Sequence, residues 1–285
     1  MNKIVKCKLD MLSDAAQFAH KRNIIKEYRC RPFLHNDSLN KIKNDYKKYI
    51  LQDYHDVLLQ YNNDVLVGVT GVFWMEEDNY LSISRGIFAE GNYDEVAKGF
   101  LEYLKRNFSG YKLYINTAKE HTKSIDFYNI NGFELLEDAV LYNLYDFSAS
   151  EFDTRIQDIN ETNCNEIYNY LSAIMTEDTY WNIERLSKNI DKFIVLGYFD
   201  EEIKGAIYAQ IYSDNTVEIF SIRADDFSLV EIMMNALAKK CQTINAEKLM
   251  LYTEDDKEVQ VAIKLGYCYF DSNVCFLKKL NNDVN

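Results

Sequence analysis

The sequence predicts an α+β protein made of two similar domains in tandem, each a mixed, mostly antiparallel sheet flanked by helices. Three observations lead there. The chain is 285 residues long, enough for one large or two ordinary domains at roughly 150 residues each. It also matches itself in order. Leu58-Leu59-Gln60-Tyr61 resembles Val195-Leu196-Gly197-Tyr198, and Val67-Gly68-Val69 resembles Lys204-Gly205-Ala206. Lys112-Leu113-Tyr114-Ile115-Asn116-Thr117 resembles Lys248-Leu249-Met250-Leu251-Tyr252-Thr253, and Gly132-Phe133 with Val140 resembles Gly266-Tyr267 with Val274. The separation falls from 137 (Tyr61 to Tyr198) to 134 (Gly132 to Gly266), as two short loop deletions in a unit built twice would produce. Finally, each half runs through a meander of strands and then a β-α-β stretch, the order of an α+β domain with a mixed sheet.

Within the first half, residues 4–9 alternate as a strand, and residues 15–28 and 39–51 place apolar side chains at helical spacing. Three strands follow at 56–61, 65–74 and 80–88. They are joined by Asn62-Asn63-Asp64 and Glu76-Glu77-Asp78-Asn79, residue types that tolerate left-handed backbone in hairpins. The hydrophobic period then changes from 2 to 3.6: 92–107 reads as a helix, 112–116 as a strand, 122–131 as a helix and 135–147 as one or two closing strands. The second half repeats the order, with 202–212 and 216–222 as its long hairpin and 229–241 as its central helix. A boundary near 148–152 gives domains over residues 1–148 and 152–285, each of an ordinary size.

Composition excludes several classes of function. Hydrophobic residues at 47% and charged residues at 27% suit a soluble globular chain rather than a disordered or fibrous one. A net charge of −13 repels phosphate backbones and anionic lipid, so neither nucleic acid nor membrane is an expected partner, and a cationic acceptor suits it better. Only 10 Gly and 1 Pro occur, which disfavours a glycine-rich phosphate loop. Cys7, Cys30, Cys164, Cys241, Cys268 and Cys275 are irregularly spaced with no CxxC pair. They read as buried reduced thiols, with no metal cofactor and no disulfide framework. The N-terminal residues lack an apolar h-region, and no run approaches the roughly 18 apolar residues of a membrane span. The expectation is a cytoplasmic protein.

One segment carries recognisable chemistry: His121-Thr122-Lys123-Ser124-Ile125-Asp126-Phe127-Tyr128, continuing to Gly132-Phe133. A phenol with a pKa of about 10 is protonated at neutral pH and can hand a proton to a leaving thiolate, so Tyr128 is a candidate general acid. It reads equally as an aromatic packed beside Phe127, Ile130 and Phe133. The segment and the element order resemble the GCN5-related N-acetyltransferase (GNAT) family, whose late helix and following strand run close to Asn-x-x-Ala-x-x-Phe-Tyr-x-x-x-Gly-Phe. Ser124, Phe127-Tyr128 and Gly132-Phe133 fall in register, and His121 stands where asparagine is usual. The second copy keeps Gly266-Tyr267 but has Val261-Ala262 in place of Phe-Tyr, which marks it as degenerate.

That resemblance implies an N-acyltransferase that moves acetyl from acetyl-CoA to the amine of a small-molecule or peptide acceptor, with Tyr128 as acid. It implies a coenzyme wedged between strands 80–88 and 112–116, against Ile87, Phe88, Ala89, Val96, Ala97, Asn116 and Ser124. A homodimer is among the assemblies it allows. The alternative is a catalytically inactive GNAT-fold module for ligand binding or protein interaction.

The family enters its central helix through an Arg/Gln-x-x-Gly-x-Gly/Ala loop whose N–H groups hold the coenzyme pyrophosphate. Here the corresponding runs are Glu90-Gly91-Asn92-Tyr93-Asp94-Glu95 and Asp225-Asp226-Phe227-Ser228. Asn92-x-x-Glu95 and Ser228-x-x-Glu231 read as capping boxes that would occupy those donors. In the first copy, Gly91 and Lys98 are the residues expected to offset this, by close approach and by charge. As general base, Glu76, Glu77 and Asp78 lie near the hairpin end, and His35 and His121 titrate near neutrality. The acidic trio reads equally as a solvated turn, and His121 as a helix-start residue.

Overall fold

A computed structural model describes residues 2–29, 38–148, 153–173, 175, 181–212 and 214–281. The first half contains β1 (Asn2–Lys6), α1 (Leu12–Asn23), α2 (Leu39–Leu51), β2 (His55–Asn62), β3 (Val65–Met75), β4 (Tyr80–Ala89), α3 (Tyr93–Asn107), β5 (Lys112–Ala118), α4 (Thr122–Ile130) and β6 (Glu134–Leu144). The second repeats them as β7 (Ile156–Asp158), α5 (Cys164–Ser172), α6 (Ile183–Lys188), β8 (Phe193–Asp200), β9 (Glu202–Ile211), β10 (Thr216–Ala224), α7 (Ser228–Thr243), β11 (Lys248–Thr253), α8 (Asp256–Lys264) and β12 (Cys268–Lys279). The expected order holds throughout. Differences lie at the ends: β1 stops at Lys6, α1 gives way to a separate 3-10 turn at Lys26–Tyr28, and one long strand closes the first half.

The chain divides differently from the contiguous split at 148–152. One unit comprises Met1–Ala139 with Asp271–Asn285, and the other Val140–Phe270. The cause is an exchange of closing strands. In the first unit the sheet runs β1-β2-β3-β4-β5 and then takes its sixth strand from β12, with Asn273 to Lys279 antiparallel to Ala118 to Lys112 of β5. In the second unit, Val140 to Leu144 of β6 pair antiparallel with Thr253 to Leu249 of β11, ahead of β10, β9, β8 and β7. Val140 and Val274 thus occupy corresponding places in sheets built by opposite halves of the sequence.

In the first unit, alternation of side chains along each strand sorts the residues into two cores. Val57, Leu59, Val69 and Phe88 meet Ala15, Ala16, Ala19, Ile42 and Tyr46 of α1 and α2. Leu58, Leu81, Ile83 and Ile87 face the other way, onto Val96, Ala97, Phe100 and Leu104 of α3 and Phe127 and Tyr128 of α4. Val274, Phe276 and Leu280 complete that second core. Each large apolar side chain buried there contributes about 1.5–3 kcal/mol. In the second unit, Leu144 and Phe147 join Ile219, Met233, Leu237 and Leu249 in the corresponding core.

Glycine explains how close the central helix comes. A Cβ on Gly68 would stand 2.5 Å from Val96 Cγ1 and 2.8 Å from Phe100, and one on Gly205 would stand 2.9 Å from Met233 Sδ. The repeated glycine of β3 and β9 is therefore the point where α3 and α7 seat on their sheets. Gly132 and Gly266 repeat for another reason: both hold φ values, 68° and 86°, that favour glycine after a helix.

Burial pushes the thiols of Cys7 up to about 11 and of Cys241 and Cys275 up to about 12, which keeps them protonated. Cys164 is half-buried and Cys268 exposed, so the expectation of buried thiols fails at those two positions; Cys30 lies outside the described residues. Among the described residues no helix is long and apolar enough to cross a membrane.

Gly68→Ala forces α3 or β3 to move and is expected to cost about 1–3 kcal/mol. Urea unfolding of Gly68→Ala beside Gly91→Ser measures it. Gly91 has nothing within 4 Å of its would-be Cβ, so only its positive φ is strained there, and a loss at Gly68 no larger than at Gly91 would show that the close approach does not matter.

Candidate active site in the first unit

The site begins where two parallel strands part. β4 and β5 pair in register from Tyr80 opposite Lys112 to Ile83 opposite Ile115, and the pairing ends there. Beyond Ile83, β4 continues only along β3, after a bulge that shifts the register between Thr70 and Val72. Gly86 makes the bulge possible with φ 79°, and Thr70 Oγ1 donates to the Gly86 carbonyl at 2.8 Å. Meanwhile β5 continues along β12 to Ala118. The opening between the two strands is followed by the start of α3 on one side and of α4 on the other.

Ile87 and Phe88 point their side chains into the two cores, so what β4 turns toward the opening there is main chain. Val96 and Ala97 are buried on the sheet side of α3. Asn116 Oδ1 accepts from Asn273 Nδ2 at 3.0 Å, which ties β5 to β12. Ala89 is half-buried at the end of β4.

Tyr128 is 1% exposed and is packed by Phe127, Phe133 and Phe276, with ring centroids at 5.7, 5.1 and 5.2 Å. Its hydroxyl lies 3.1 Å from that of Tyr93. Tyr128 is thus a packed aromatic whose phenol is polar-paired with Tyr93, the first residue of α3. Tyr93 and Phe276 carried no signal in the sequence, one being the first residue of a helix and the other arriving from the far end of the chain.

His121 begins α4. Its Nδ1 accepts from Ser124 N at 3.0 Å, so it does the work of the asparagine it replaces and carries its proton on Nε2. Ser124 Oγ donates to the His121 carbonyl at 2.8 Å and lies 2.9 Å from Thr117 Oγ1. Burial lowers the imidazole to about 4, so near pH 7 the ring is neutral and holds a proton only weakly. The acidic trio is also misplaced for that task. Glu76, Glu77 and Asp78 are exposed on the β3–β4 turn, at the end of β4 opposite to the opening. His35 lies outside the described residues.

At the start of α3, Asn92 Oδ1 accepts from Asp94 N at 3.1 Å, one position earlier than a capping box would have it. Gly91 turns at φ 78°, and nothing lies within 4 Å of where its Cβ would stand. Lys98 lies elsewhere, along a groove that Glu95, Glu102, Ile4 and Gln60 also line. In the second unit the parting recurs: β10 and β11 pair from Thr216 to Ile219, and β10 then bulges at Phe220. There Ser228 lies inside α7, and Asp226 Oδ1 accepts its N–H at 2.8 Å. Ala262 occupies the place of Tyr128. Glu258 occupies that of Ser124, accepting from Thr253 Oγ1 at 2.6 Å with its carboxyl pushed up by burial.

The depressed His121 value has a stability consequence. The unfolded chain binds a proton near pH 6.5 that the folded one refuses until about pH 4, so this contribution is complete above 6.5 and is lost on acidification through that window. Denaturant titration from pH 7 to 4 is expected to show about 3 kcal/mol more loss in the wild type than in His121→Asn, which keeps the cap. Equal slopes would mean that His121 titrates normally.

No family model and no curated protein sequence matches the chain. Solved structures do. A GCN5-related N-acetyltransferase from Sphaerobacter thermophilus superposes with a TM-score of 0.71 at 9% identity, over 100% of this chain and 97% of its own. A tandem GNAT protein from the clavulanic acid biosynthesis pathway, solved without acetyl-CoA, gives 0.60 at 8% identity over 99% and 100%. A GNAT-family acetyltransferase from Colwellia psychrerythraea gives 0.53 at 11% identity over 96% and 99%. With the parted parallel strands found twice, these likenesses identify the architecture: the chain carries the GNAT acetyltransferase fold in tandem.

Proposed function

We propose that this protein is an N-acetyltransferase that uses acetyl-CoA and acts through its first unit on the amine of a small-molecule or peptide acceptor. The observation that carries this reading is the opening beside β4 with the Tyr128 hydroxyl buried at its helical border. The first unit fits the pantetheine arm of the coenzyme. Past Ile83, β4 no longer pairs with β5, and amides of the arm could approach the main chain at Phe88 and Ala89. The diphosphate end is served less well. Gly91 leaves room, but Asn92 already takes one helix-start donor, and Asp94 and Glu95 bring negative charge. Acetyl-CoA supplies an activated thioester. As the neutral amine of the acceptor attacks the thioester carbonyl and the C–S bond breaks, Tyr128 would give its phenolic proton to the departing sulfur, and Tyr93 could donate a hydrogen bond to the phenolate left behind. The proton released by the acceptor ammonium goes to water or acceptor-side groups.

The second unit supports a different reading of its own. With Ala262 at the acid position and carboxylates of Asp226, Asp255 and Glu258 at its helix starts, it serves as a non-catalytic copy. The alternative for the whole chain is a binding module of GNAT fold.

Turnover of acetyl-CoA against a panel of primary amines separates the two. Tyr128→Phe is expected to lower kcat by about 10²–10⁴ while calorimetric affinity for acetyl-CoA stays within a factor of a few, and Tyr142→Phe is expected to match the wild type. Absence of both binding heat and turnover, or full activity in Tyr128→Phe, would overturn the assignment.

A further inference from the structure

A cavity lies within the first unit on residues other than those around Tyr128. It is a groove of about 720 Å³ between one flank of α3 and strands β1 and β2. Gln60 of β2 lines it, is 1% exposed, and its Oε1 meets no hydrogen-bond donor among the described residues. A buried carbonyl left unpaired costs about 1–3 kcal/mol, so the position calls for a donor. Gly99 is why the amide fits against α3 at the groove: a Cβ there would stand 2.7 Å from Gln60 Oε1.

The charges around that amide are ordered by the helix. Glu95 and Glu102 stand one turn to either side of Gly99, Lys98 is beside it, and Arg106 is one turn beyond Glu102; all line the groove. An acid–base ladder on its own is an ordinary solvated helix face. The buried, unpaired acceptor in its lining is what distinguishes this one. We propose that the groove binds a free α-amino acid. Its ammonium would donate to Gln60 Oε1 between the Glu95 and Glu102 carboxylates, and its carboxylate would lie toward Lys98 and Arg106, so that both ends form charge-assisted hydrogen bonds. The cavity volume falls within the range of small-molecule sites.

The test uses the full chain, a panel of free L-amino acids at millimolar concentration, and acetate and ethylamine as probes carrying one charge each. Calorimetry and thermal shift are expected to find at least one amino acid that binds, with either single-charge probe about tenfold or more weaker, the loss of one charged hydrogen bond. Gln60→Leu is expected to abolish binding without lowering the melting temperature of the free protein, because it removes an unpaired acceptor; a purely structural glutamine would destabilise when replaced. Arg106→Ala, on the exposed helix face, is expected to weaken binding without disturbing the fold. Tyr128→Phe is expected to bind as the wild type does, which keeps this proposal separate from the acetyl-transfer reading. Failure of every amino acid to bind, unchanged binding in both groove variants, or equal binding of ethylamine alone would overturn it.

Discussion

The parting of β4 from β5 after Ile83 is the constraint on which the first unit turns. Parallel strands ordinarily stay paired because each unpaired amide in a buried place is costly. Here the bulge built on Gly86 and tied by Thr70 directs β4 along β3 alone, while β12 holds β5 on its other edge. A gap with main-chain groups on its border is the result, and two helices start beside it. The second unit solves the same problem with Phe220 in the bulge, yet its helix starts are filled by carboxylates. Shared backbone with different side chains thus gives one copy a buried phenol paired with Tyr93 where the other has Ala262.

Exchange of the closing strands links the site to the whole chain. Phe276 packs on Tyr128 from a strand made 148 positions later, and Asn273 anchors Asn116. The core around the candidate acid is complete only when the last strand has arrived. Contacts of such sequence separation are slow to form, since chain closure entropy opposes them before packing rewards them.

Much of this was legible in the residues because it rests on local chemistry. Gly68 and Gly205 repeat because a helix seats on each; Gly132 and Gly266 repeat because each ends a helix with positive φ. His121 as a helix-start residue follows from a ring nitrogen able to stand in for an asparagine oxygen. The exchange was not legible: β6 and β12 are of similar length, 11 and 12 residues, and share the Val140–Val274 match, so the sequence lets either close either sheet. Nor was the direction of the acidic turn relative to the opening, which depends on where β4 leaves β5 rather than on the residues of the turn. The Tyr93–Tyr128 contact joins two helix positions with no shared periodicity, and only packing brings them together.

The most direct test of the account is hydrogen–deuterium exchange of the whole chain with and without acetyl-CoA. Added protection confined to residues 84–92 and 116–124, with residues 219–228 of the second unit unchanged, is the predicted result. Protection absent from the first unit, or equal in both, would contradict an opening that is used in one copy only.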